Sequence, residues 1–211
     1  MDLRIARIHY PITVLGPGRR AGIWFQGCTI GCEGCMSRDT WDPGSGHSMD
    51  VGDVCDIVMA ARSDEGLDGV TISGGEPFQQ PQGLRSLCAE LRRRWPDVDI
   101  LAYSGYPLGR LRRAHPGILE LLDALVAEPF IAGRPTEARW QGSSNQELTI
   151  LSGQAEVQYA TALDVPGSRL QVTVDEEGVR VVGIPRRGDL ERMRRALLDR
   201  GLELQDVSWG T

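Results

Sequence analysis

Three cysteines stand within one short stretch, Cys28-Thr-Ile-Gly-Cys32-Glu-Gly-Cys35, in the pattern CxxxCxxC. Three thiolates from a single loop suit an iron-sulfur cluster better than a structural zinc site, which takes four ligands and usually two separated pairs. His9, His47 and His115 all lie outside the loop and do not complete a zinc set. A four-iron cluster held by three thiolates keeps one iron free of protein ligand, and an open metal position is a catalytic feature. Gly27, Gly31 and Gly34 flank the cysteines. Their freedom to adopt positive φ would let the backbone wrap a compact cluster and aim N–H groups at its sulfurs.

A second stretch, Ser73-Gly74-Gly75-Glu76-Pro77, comes after a strand-like run. Two glycines let backbone approach a ligand closely, and the carboxylate of Glu76 can pair with an ammonium group. By itself GGEP also describes an ordinary strand-to-helix turn. It gains meaning from standing about forty residues after the cysteines.

Composition narrows the chemistry further. All 23 cationic side chains are arginine, so mechanisms built on a lysine amine are excluded: Schiff-base aldolases, pyridoxal-phosphate enzymes and P-loop NTPases. The net charge of −6 comes with acids interleaved among the arginines, which disfavours an extended nucleic-acid surface. Arg92-Arg93-Arg94 reads as a solvated face. No apolar run approaches the roughly 18 residues of a membrane span, and the first residues lack a signal-peptide core, so a cytoplasmic, membrane-free protein is expected. Cys55 and Cys88 fall on apolar helical stripes and read as buried, inert thiols.

These groups need elements to position them. Leu3–Ile8 and Ala21–Gln26 read as strands around a turn at Gly16-Pro17-Gly18. Asp50 caps a helix from Val51 to about Arg62, and a second helix opens at Pro81 and buries Leu84, Leu87, Cys88 and Leu91. Strands are predicted at 69–73, 99–103 and 124–127, with helical character over 108–122. Strands alternating with helices argue for an α/β fold of parallel units, with the chemistry in loops at the strand C-terminal ends. After Trp140 come a polar loop at 141–146, a strand-like run at 147–151, a hairpin from 170–174 and 180–184 around Glu176-Glu177-Gly178, and a last helix capped by Asp189. Residues 1–150 are read as the core and 151–211 as an extension of hairpin and helix within the same domain.

Together the two motifs resemble the radical S-adenosylmethionine superfamily, and most closely the short activating proteins of anaerobic ribonucleotide reductase and other glycyl-radical enzymes. The similar stretches are GIWFQGCTIGCEGCMSRDTW from Gly22, SGGEPF from Ser73, YSGY from Tyr103, LVAEPF from Leu125 and RWQGSSNQ from Arg139. The resemblance implies a partial (β/α) barrel in which Cys28, Cys32 and Cys35 hold a 4Fe-4S cluster. It implies that S-adenosylmethionine chelates the open iron, with Gly74, Gly75 and Glu76 at its methionyl amine. Ser104 is implied near the nucleoside, Glu128 at the ribose, Asn145 in the adjoining loop, and Met36 against adenine, where the group commonly has an aromatic residue or histidine. Some activases have a lysine two positions after the acidic ribose contact; here Phe130 stands there.

The activity implied is reductive cleavage of S-adenosylmethionine to a 5′-deoxyadenosyl radical, supplied with electrons by a flavodoxin or ferredoxin and directed at a glycyl-radical enzyme. A peptide or small-molecule substrate is the alternative, favoured by residues 151–211, which exceed a minimal activase. A non-catalytic iron-sulfur electron carrier or sensor is a third reading, against which GGEP counts.

Overall fold

Short apolar segments recur along the chain, and in the computed structural model they lie side by side. The structure describes residues 1–164, 167, 169–175, 178–186 and 188–202. Strands β1 (Asp2–Ile12), β2 (Arg20–Phe25), β3 (His47–Asp50), β4 (Gly69–Gly74), β5 (Asp99–Tyr103), β6 (Ala124–Ala127) and β7 (Glu147–Ile150) form one sheet in the order β3-β1-β2-β4-β5-β6-β7. The inner four, β2, β4, β5 and β6, are parallel. Antiparallel pairing adds β1 and β3 on one side and β7 on the other. The result is a mixed α/β architecture with a large mixed sheet; a closed barrel is not present among the described residues.

Helices α1 (Val51–Glu65) and α2 (Pro81–Arg94) cover one face. Asp50 caps α1 by accepting from the Gly52 N–H at 2.7 Å, as its sequence position predicts. Cys55 and Cys88 lie on the packed sides of these helices and are fully buried. Burial pushes their thiols up to about 11 and about 12, so both are inert at neutral pH. The helical stretch expected over 108–122 is two short helices, α3 (Leu108–Ala114) and α4 (Pro116–Leu119). They break at His115, because Pro116 supplies no N–H and disfavours a helical residue before it.

The chain beyond β7 covers the other face of the sheet. It adds a helix that sequence periodicity does not show, α5 (Gly153–Leu163), capped by Ser152. Its Ala155 and Tyr159 pack with Leu101, Val126 and Trp140. Strands β8 (Leu170–Asp175) and β9 (Gly178–Gly183) pair as the expected hairpin, whose turn residues Glu176 and Glu177 lie outside the described residues. Val182 and Ile184 reach the same sheet face, against Ile12, Val14 and Trp24. The last helix, α6 (Asp189–Leu198), is capped by Gly188; Asp189 is its first residue and accepts from the Arg186 N–H at 2.6 Å.

At the N-terminal ends of the parallel strands Arg20 is wholly buried. It ion-pairs with Asp99 at 2.5 Å and donates to Thr71 Oγ1 at 2.7 Å and to the carbonyls of Pro17 and Val70. The hydroxyl of Tyr159 donates to Asp99 Oδ1 at 3.0 Å, so α5 completes the shell of this buried charge. Arg92 is likewise not the solvated cation its neighbours suggest. It donates to the carbonyls of Val98 and Leu121 and pairs with Asp123 at 2.6 Å, which ties the end of α2 to the starts of β5 and β6. No helix among the described residues is long and apolar enough to cross a membrane.

Candidate functional site

Parallel neighbours end level with one another, and their following loops therefore meet. Trp24 pairs with Ser73 and Phe25 with Gly74, so the cysteine loop after β2 stands beside the SGGEP turn after β4. Tyr103 pairs with Val126, which brings Ser104-Gly105 after β5 level with Glu128 after β6. A cleft opens where these four loops converge, at the C-terminal edge expected for an α/β sheet. Cys28, Cys32 and Cys35 line it together with Ser73, Gly74, Gly75, Ser104 and Glu128.

The loop around the three thiols is built on left-handed backbone, with φ of 99° at Gly27, 66° at Gly31 and 74° at Gly34. This is the requirement for glycine that the sequence suggests. The loop is closed at its base by Gly27 N donating to Thr40 O at 2.7 Å and Cys28 N to Trp41 O at 3.0 Å. All three thiols are partly accessible from the cleft. Burial pushes Cys28 and Cys32 up, opposed by backbone N–H groups of Ile30 and Gly31 at Cys28 and of Phe130 at Cys32. Ser37 N lies 3.4 Å from Cys35 Sγ. Backbone donors near each sulfur suit thiolates bound to metal.

The donor set is three thiols with no fourth thiol and no imidazole in the cleft lining. Among the described residues no three His, Cys, Asp or Glu side chains converge as a single ion would need. A cluster, each of whose thiolates meets a different iron, needs no such point. On donor chemistry and loop conformation these residues fit a 4Fe-4S cluster with one iron left to a ligand.

Gly74, which ends β4, and Gly75 after it serve packing between backbones. A Cβ on Gly75 would lie 2.3 Å from the Gly27 carbonyl oxygen, and one on Gly74 2.5 Å from the Phe25 nitrogen. The close approach they permit is therefore between the GGEP turn and the root of the cysteine loop. Gly75 N donates to Phe25 O and Glu76 N to Gly27 O, both at 2.8 Å.

Glu76 is 1% exposed, and its carboxylate faces the protein. Oε1 accepts from Ser104 Oγ at 2.9 Å and Phe78 N at 3.0 Å, and Oε2 accepts from Gly105 N at 2.7 Å. Two of its roughly four acceptor directions are thus spent on holding the β5 loop to the β4 loop, and a third caps the helical turn Pro77–Gln79. Ser104 Oγ in turn accepts from Tyr106 N at 3.1 Å, so its hydroxyl is engaged on both sides.

Burial raises the Glu76 carboxyl to about 7, against the lowering effect of those N–H and O–H donors. A folded value above the unfolded one stabilises the fold most below the unfolded value near 4.5. That contribution is lost as pH rises through about 7. Denaturant unfolding is expected to show stability falling between pH 5 and 8 by up to about 3 kcal/mol. The fall should be absent in Glu76→Gln, and the same slope in both proteins would rule out this assignment.

Glu128 lines the cleft from a strained backbone, φ 85°, and its carboxylate has no hydrogen-bond or ion-pair partner among the described residues. Besides Glu76, whose side chain is buried and outside the lining, two of the sequence candidates stand back from the cleft. Met36 is half-buried in the cysteine loop and outside the lining. Asn145 is behind it, with Nδ2 donating to Pro129 O at 2.8 Å. The walls include residues that motif spacing does not single out: Ile30, Tyr103, Phe130 and Gln146. The sequence signal for each is its place in one of the stretches similar to the activating proteins: Ile30 in the cysteine loop, Tyr103 in YSGY, Phe130 in LVAEPF and Gln146 in RWQGSSNQ.

Residues 14–149 match the protein family described as 4Fe-4S single cluster domain. Among similar proteins, the anaerobic ribonucleoside-triphosphate reductase-activating protein of Vibrio cholerae is 33% identical over 147 residues, covering 66% of this chain and 94% of that one. The protein of the same name from Enterobacteria phage T4 is 29% identical over 137 residues, 64% and 86% of the two chains. That of Escherichia coli K12 is 30% identical over 144 residues, 65% and 93%.

Proposed function

The chain belongs to the 4Fe-4S single cluster domain family and is an enzyme of the radical S-adenosylmethionine type, and from that premise we propose that it reductively cleaves S-adenosylmethionine to activate a glycyl-radical enzyme. The observation that carries this reading is the meeting of the CxxxCxxC loop and the SGGEP turn in one cleft at the ends of adjacent parallel strands. The curated relatives, which are reductase-activating proteins, point the same way.

In this reading Cys28, Cys32 and Cys35 would hold the cluster, whose chemistry when bound and reduced would be one-electron cleavage of the sulfonium of S-adenosylmethionine to methionine and the hydrogen-abstracting 5′-deoxyadenosyl radical. The protein's part is to hold and enclose the reactants. Gly74 and Gly75 border the methionyl end, and Glu76 fixes that border by tying it to Ser104 and Gly105. The unpartnered carboxylate of Glu128 is the group suited to ribose hydroxyls. With Met36 outside the lining, Ile30, Trp41, Tyr103 and Phe130 are the apolar surfaces left for adenine. Asn145 supports the Glu128 loop through Pro129. A flavodoxin or ferredoxin is the class of donor such a cluster takes. Residues 1–150 form the catalytic core, a partial (β/α) barrel in its four parallel strands, and 151–211 the extension.

The extension favours a second reading of the substrate. It packs on the sheet face opposite α1 and α2, which suits a cover over a peptide or small molecule. The two readings share one test. The chain is reconstituted anaerobically with iron and sulfide, reduced, and given S-adenosylmethionine. 5′-Deoxyadenosine is expected, and its absence from a protein with a full cluster would leave only an electron carrier or sensor. Adding an anaerobic ribonucleotide reductase then separates the substrates: a glycyl radical seen by electron paramagnetic resonance supports the activase, and none supports the alternative.

A further inference from the structure

The loop that joins β6 to β7, residues 128–146, has two sides. Its ends line the cleft through Glu128, Phe130 and Gln146. Its middle leans on the extension. Among the described residues only Glu128 and Trp140 combine a side chain with positive φ, 85° and 62°, and both belong to this loop. Such conformations persist where surrounding structure enforces them.

One cation makes three of the hydrogen bonds that tie this loop to the extension, to which an Arg186–Glu137 ion pair and a bond from Arg139 to Ala162 O add. The guanidinium of Arg169, just before β8, donates to three carbonyls of the loop, Glu137 at 3.2 Å, Ala138 at 3.3 Å and Gln141 at 3.2 Å. Its Nε donates to Ile184 O at the end of β9, 3.3 Å away. A rigid five-donor fork can serve four carbonyls at once, which an ammonium on a flexible stem does poorly. Trp140 meets Tyr159 of α5 edge-on, with ring centroids 5.4 Å apart, and this holds the same segment from a second side.

We infer that Arg169 is a positioning residue for the cleft: through the carbonyls of 137–141 it fixes the loop that presents Glu128, Phe130 and Gln146 to the bound nucleoside. The extension is then part of the binding machinery, although the family match ends at residue 149. This rests on the reading that the cleft binds S-adenosylmethionine, and it deepens that reading by assigning a residue outside the family match.

The test uses the full-length chain with its cluster reconstituted. Iron content, the paramagnetic resonance spectrum of the reduced cluster without ligand, the Kd for S-adenosylmethionine by equilibrium dialysis, and KM and kcat for 5′-deoxyadenosine formation are measured together. Arg169→Ala is expected to keep the iron content and ligand-free spectrum while Kd and KM rise about tenfold and kcat changes less. Arg169→Lys should lie between it and the wild type. Gln171→Ala removes a different tie of the hairpin, to Thr13 N and Pro11 O, and should leave Kd and KM unchanged. Wild-type Kd and KM in Arg169→Ala overturn the inference, as does an equal rise in Gln171→Ala, which would mean general loosening of the hairpin. If Arg169→Ala loses the cluster, Arg169→Lys decides, and a wild-type KM there overturns the inference. A clustered wild-type chain that fails to bind S-adenosylmethionine overturns the functional reading itself, and the inference with it.

Discussion

Replacing Cys32 by alanine is expected to reduce bound iron and sulfide to background and to abolish 5′-deoxyadenosine formation. In the proposed cluster each of the three thiolates would hold a different iron, and among the described residues the cleft lining offers no further thiol or imidazole to substitute. Cys88→Ala provides the contrast. That thiol is buried between α2 and the sheet, with its ionisation pushed up to about 12, and it takes no part in the cleft lining. Its loss should cost about 1 kcal/mol of stability by leaving a small cavity, with cluster content unchanged. Iron and sulfide analysis with visible absorbance checks both variants. Equal loss of cluster from the two would show that the division of the cysteines into a working trio and a buried pair is wrong.

The second large effect is expected at Gly75. An added methyl would lie 2.3 Å from Gly27 O, 2.8 Å from Gly27 C and 3.0 Å from Thr40 O, all backbone atoms at the base of the cysteine loop. None of these belongs to a side chain that can swing aside. The loop root must shift, the Glu76 N to Gly27 O hydrogen bond must lengthen, and the cluster must move relative to the GGEP border. A displacement of about 1 Å between reacting groups costs on the order of a hundredfold in rate. Gly75→Ala is therefore expected to lose at least about that much turnover. Gly117→Ala, where an added Cβ meets nothing within 4 Å, should keep it. Wild-type turnover in Gly75→Ala would show that the glycine is not needed for close packing.

Much of the site was legible in the sequence because its key signals are local. CxxxCxxC and the flanking glycines describe one loop, and three positive-φ glycines in that loop are what the structure contains. The strands that carry the motifs were also legible as short apolar runs: Ala21, Ile23 and Phe25 pack on one face of β2 and Trp24 on the other, and both faces are buried. Less local features escaped. Helix α5 has small and polar residues where a strong apolar stripe would announce it, and its packing rests on Ala155 and Tyr159 against Leu101, Val126 and Trp140 from other elements. Strand β3 is four residues long and has no buried side chain. Its existence depends on pairing with β1, which no local pattern reports.

The role of Glu76 shows the same division. Its residue type and place after two glycines marked it as a site carboxylate, yet sequence suggested a partner in the ligand. The fold instead turns the carboxylate to Ser104 and Gly105, 28 and 29 positions ahead. Likewise Met36 was singled out by its place after the third cysteine, while the cleft lining includes Tyr103 at the end of β5 and Phe130 in the loop after β6.

The sequence by itself determined the chemistry this chain can host: three thiols on one glycine-rich loop, a carboxylate turn one βα unit later, and no lysine for any amine-based route. These properties come from residue types and short spacings, which set ligand identity and loop conformation without reference to the rest of the chain. The tertiary structure decided which surfaces face the reactants and how they are held. Parallel pairing sets four loop ends level, the lack of a Cβ at Gly75 lets two backbones touch, and Arg169 gathers carbonyls from a loop some thirty residues earlier. Such contacts join groups distant in sequence, and their strength depends on distances that only the folded chain defines.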